Sequence, residues 1–146
     1  MLTIIWESFL RLEKDISKSI DYFKDAIKQK NDPVAMFNLA HTYFFEDEVK
    51  QSLLKSIKLL IGSVKEDIPH SFDLLCLVVA NKFAPLNEKE IEKEFEDIDK
   101  SSGESIARRV FHEIKDNGLN KARVYQQLKD INLVYYINGV DVLSLK

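Results

Sequence analysis

Two stretches of this chain repeat one another at a fixed distance, and that repeat limits the fold more than anything else in the sequence. Residues 12–20 (LEKDISKSI) match residues 49–57 (VKQSLLKSI) at an offset of 37. The match runs on: Tyr22 and Phe23 fall on Leu59 and Leu60, and Ala26 falls on Ser63. Residues 32–35 (DPVA) then fall near residues 68–71 (IPHS), at an offset of 36. A period in this range is characteristic of helical repeat arrays, in which one unit cannot bury its apolar face and neighbours must stack to do so.

Each unit reads as two helices. From Pro33, the apolar residues Met36, Leu39, Ala40, Tyr43 and Phe44 recur every three or four positions, as on one face of an amphipathic helix. Asp32 suits the N-cap, and Pro33 the first helical position, where a missing N–H costs nothing. Residues 46–48 (EDE) make a polar loop, and Leu53, Ile57, Leu60, Ile61 and Val64 make the second helix. The next unit is expected to open at Pro69, with Phe72, Leu75, Cys76, Val78 and Val79. The small residues Ala26, Ala35, Ala40, Ser56 and Ser63 sit where helices must approach closely.

Residues 18–43 resemble a Sel1-like repeat, a branch of the tetratricopeptide family. Lys18 and Ser19, the aromatic pair Tyr22 and Phe23, then Ala26, Ala35, Asn38, Leu39 and Tyr43 fill the motif positions, and Lys55-Ser56 repeats its lysine–small pair. Ala40 stands where the family has glycine after leucine, and residues 46–49 (EDEV) stand where it has a glycine-rich loop. Without those glycines the loop has no cheap access to positive φ. The resemblance covers about half the chain. It implies an all-α fold, an α–α superhelix or solenoid of antiparallel helical hairpins over residues 1–83. It also implies scaffold or adaptor work rather than catalysis. The partner would lie in a concave groove lined by the first helix of each pair. Carried over by position, the groove residues are Val34, Phe37, His41, Phe44 and Phe45, then His70, Asp73, Leu77, Ala80 and Asn81. No Lys or Arg occupies these positions, so the basic clamp with which some relatives grip a C-terminal carboxylate is absent. An apolar or aromatic anchor fits such a groove better than a charged peptide end. Packing against a neighbouring helix is the competing account of Phe37, Phe44 and Phe45.

The remaining residues, 84–146, read as a helical extension of the same domain. Asn87 caps a helix over residues 88–99, with Ile91, Phe95 and Ile98 on one face. Residues 101–103 (SSG) break it. A helix over residues 104–116 follows, with Ile106, Val110, Phe111 and Ile114 inward, and Asn117-Gly118 ends it. Asn120 caps a last helix to about residue 130, with Val124 and Leu128 inward. The tail has two readings. Residues 134–137 (VYYI) and 140–143 (VDVL) around Asn138-Gly139 have the form of a small β-hairpin. Alternatively the last helix runs on to about Tyr136 and an extended tail follows.

Other chemistries find little support. Residues 88–100 carry seven acidic groups against three lysines, a net −4 that leaves the rest of the chain at +1; this reads as a solvated helix face. With a net charge of −3 and no basic stripe beyond Arg108-Arg109, no nucleic-acid partner is expected. His41, His70 and His112 share no metal-ligand spacing, and Gly62, Gly103, Gly118 and Gly139 are too far apart to cradle a phosphate. No cofactor is called for. A single cysteine, Cys76, in an apolar run reads as a buried small hydrophobe. No apolar run is long enough for a membrane span, and residues 1–6 do not read as a signal peptide, so an intracellular, cytoplasmic protein is expected. The competing function is a structural subunit locked into a large protein or ribonucleoprotein assembly by its apolar ends, residues 2–10 and the tail.

Overall fold

A computed structural model of the chain describes residues 16–45, 53–83, 87–129, 136–137 and 140–141. The expected first helix (residues 2–10), the acidic loop (residues 46–48) and most of the tail lie outside them. The described residues form seven helices: α1 (Ile16–Lys30), α2 (Pro33–Phe45), α3 (Leu53–Lys65), α4 (Ser71–Lys82), α5 (Glu88–Ile98), α6 (Gly103–Lys115) and α7 (Lys121–Lys129). In the tail, Tyr136–Ile137 and Val140–Asp141 pair antiparallel, Tyr136 with Asp141 and Ile137 with Val140. The other residues of the hairpin reading, 134–135, 138–139 and 142–143, lie outside the described residues.

Local chemistry sets most helix ends. Asp32 Oδ1 accepts from the N–H groups of Val34 (2.9 Å) and Ala35 (3.4 Å), which satisfies donors that the first turn of α2 cannot pair internally. Asn87 Oδ1 does the same for Lys89 and Glu90 at α5, and Asn120 Oδ1 for Arg123 at α7. After α6 the chain reverses through Gly118 at φ 65, a left-handed conformation open to glycine without steric cost. The start of α4 differs from expectation. Pro69 lies in the turn and the helix begins at Ser71. The residue before Pro33 is a capping aspartate, whereas the one before Pro69 is Ile68, whose side chain has no oxygen to offer; its backbone carbonyl accepts from Ser71 N–H at 3.2 Å. The chain instead turns through Asp67 (φ 54) and His70 (φ 69), and no side chain caps α4.

Packing proceeds in sequence order from α1 to α4, each helix lying against the one before. The α5–α6 hairpin joins through α6 on α4, and α7 also lies on α4. One apolar core runs through α2 to α7, with Phe37, Ile57, Leu60, Leu74, Leu75, Leu77, Val78, Ile91, Phe95, Ile106, Val110, Val124 and Leu128 among its members. A second, smaller cluster joins α1 to α2 through Phe23, Ala35, Leu39 and Tyr43. Both clusters use α2, so it is buried on opposite sides, and α4 is likewise enclosed. The single apolar stripe expected of α2 therefore gives way to a helix enclosed by neighbours. Ala35, Ala40, Ser56 and Ser63 are all buried, as close helix approach requires.

The turn between α5 and α6 is cross-linked to the repeat region. Asp99 Oδ2 lies 2.6 Å from Lys65 Nζ at the end of α3. The same carboxylate accepts from the hydroxyls of Ser101 and Ser102 and from both their N–H groups. The Lys65 ammonium and the two serines hold the Asp99 carboxyl far below the usual carboxylate range.

Candidate partner-binding groove

The first helices of successive hairpins are α2 and α4, and they touch each other in the fold. Helix α7 lies against α4 and reaches α2 at His41, Phe44 and Phe45. Val124 and Leu128, one helical turn apart on α7, are buried in the same core as Phe37 of α2 and Leu77 of α4. Beside them His41 is 4% exposed, and its Nε2 lies 2.6 Å from the backbone oxygen of Leu128. A carbonyl can only accept, so the ring donates from Nε2–H. Burial drives the His41 pKa down to about 4, against a smaller upward effect of the bond to Leu128, so the ring is neutral at pH 7.

Aromatic rings complete the site. The His41 ring lies 6.0 Å from that of Phe37 and 4.4 Å from that of Phe45. Phe45 meets Phe44 edge-on at 4.9 Å and reaches the Tyr125 ring of α7 at 5.0 Å. Phe44 and Phe45 are half-buried, while Tyr125 is 40% exposed, so this end of the groove meets solvent. Lys129 Nζ sits 6.0 Å from the Tyr125 centroid, within cation–π range.

The candidate residues thus divide. Phe37, His41 and Leu77 are buried beneath or beside α7, and Phe44 and Phe45 form its rim. Ala80 is buried in α4. Val34 is half-buried at the start of α2, its N–H held by Asp32. Asn81 is exposed and donates to the Leu77 carbonyl at 2.7 Å. His70 and Asp73 are exposed and lie elsewhere, in a concavity of ≈ 180 Å³ with Val64, Asp67, Ile68, Phe72 and Arg109. There the Arg109 guanidinium stacks 4.8 Å from the Phe72 ring. No single surface unites all the positions carried over from the resemblance.

Sequence reasoning placed Val124 and Leu128 inward but missed what they cover. It also missed Tyr125 at the rim and Arg109 beside His70. The available signal was indirect: α2 is apolar all round, so it must meet neighbours on more than one side. Among the described residues, no group of three or more His, Cys, Asp or Glu is arranged to hold a metal ion. Burial pushes the Cys76 thiol far above its ordinary pKa, so it is no nucleophile at pH 7. No helix of the described residues is long and apolar enough to cross a membrane. Compared with known families, curated proteins and solved structures, the chain matches no family model, no curated protein and no solved structure.

Proposed function

We propose that this chain is a non-enzymatic scaffold or adaptor of the Sel1-like kind, a short α–α solenoid that recruits a protein partner in the cytoplasm. What supports this reading is that α2 and α4, the first helices of successive hairpins, touch each other, and that the rings of Phe44, Phe45 and Tyr125 cluster at an edge that meets solvent. Aromatic residues at the edge of such a surface are the side chains that most often anchor an interface.

The test is affinity capture of the full chain with crosslinking in place. An adaptor of this kind yields a specifically enriched protein whose crosslinks fall beside the aromatic edge, at Lys129 of α7, whose ammonium sits over the Tyr125 ring. Phe45→Ala lowers that yield several-fold. Enrichment no better than for an unrelated helical domain, or crosslinks confined to Lys89 and Lys93 of α5, would rule out the groove as the working surface.

A further inference from the structure

We draw no further inference here: the strongest candidate, the solvent-facing aromatic patch of Phe44, Phe45 and Tyr125 where α2 meets α7, is an unpartnered face, and nothing in the structure shows what covers it.

Discussion

His41 shows how one side chain can carry a core contact and a pH dependence together. It is enclosed by the rings of Phe37 and Phe45 and bonded to the Leu128 carbonyl, and its pKa is held near 4 by burial. In the unfolded chain the same imidazole takes up a proton near its ordinary value of 6.5. Between these values the unfolded state binds more protons than the folded one, so stability falls as pH drops from about 6.5 to 4. Below about 4 both states are protonated and His41 adds no further loss. The full effect is about 3 kcal/mol. Urea unfolding of the wild type and His41→Phe at pH 7 and pH 4.5 isolates it, because carboxylate titration is common to both. The wild type should lose more stability than the variant over that interval, by about 2–3 kcal/mol. Equal losses would show that His41 is not shielded from water in the folded chain.

At the scale of elements, the helices fall into two kinds. On α5 and α6 a clear apolar stripe faces inward, Ile91 with Phe95 and Ile106 with Val110, and charged residues dominate the exposed faces. On α2 and α4 the apolar residues run round the whole circumference, because neighbours lie on several sides. Where helices cross, glycine sets the spacing. A Cβ at Gly103 would run into the Phe95 carbonyl, backbone against backbone, whereas one at Gly62 would meet the Met36 sulfur at 2.6 Å. The Met36 side chain can rotate away, but the α5 backbone cannot yield without moving the helix. Gly103→Ala should therefore cost about 3 kcal/mol, and Gly62→Ala about 1 kcal/mol or less, in chemical denaturation. Equal costs would mean that the α5–α6 crossing is looser than its geometry implies.

Among the described residues, two apolar clusters of unequal size share α2. The larger unites α2 to α7, so these helices should unfold together, with helical circular dichroism and near-ultraviolet aromatic signals changing at one denaturant concentration. The smaller fastens α1 alone, through Phe23 against Ala35, Leu39 and Tyr43. Phe23→Ala removes its largest fully apolar side chain, at a cost of about 3 kcal/mol. The loss should be local: α1 amides exchange faster while those of α4 hardly change. A uniform rise across all helices would show that the two clusters form one cooperative unit.

Much of this was legible in the residues. Asp32, Asn87 and Asn120 mark helix starts, and Gly118 marks a reversal, because capping and positive φ are local matters settled within a few residues of the chain. The inward placement of Ile91, Phe95, Val110, Val124 and Leu128 follows from spacing alone. Spacing breaks down on α2 and α4, where an apolar circumference gives no clue to which side a partner could use. There the tertiary structure decided. It laid α7 against α4 and α2, buried Phe37, His41 and Leu77, and left His70 and Asp73 in a separate concavity with Arg109. The physical reason is that α7 meets α2 at a sequence separation of 87, as in the His41–Leu128 bond. No periodic pattern encodes such a contact; it follows from whichever packing removes the most apolar surface from water at once.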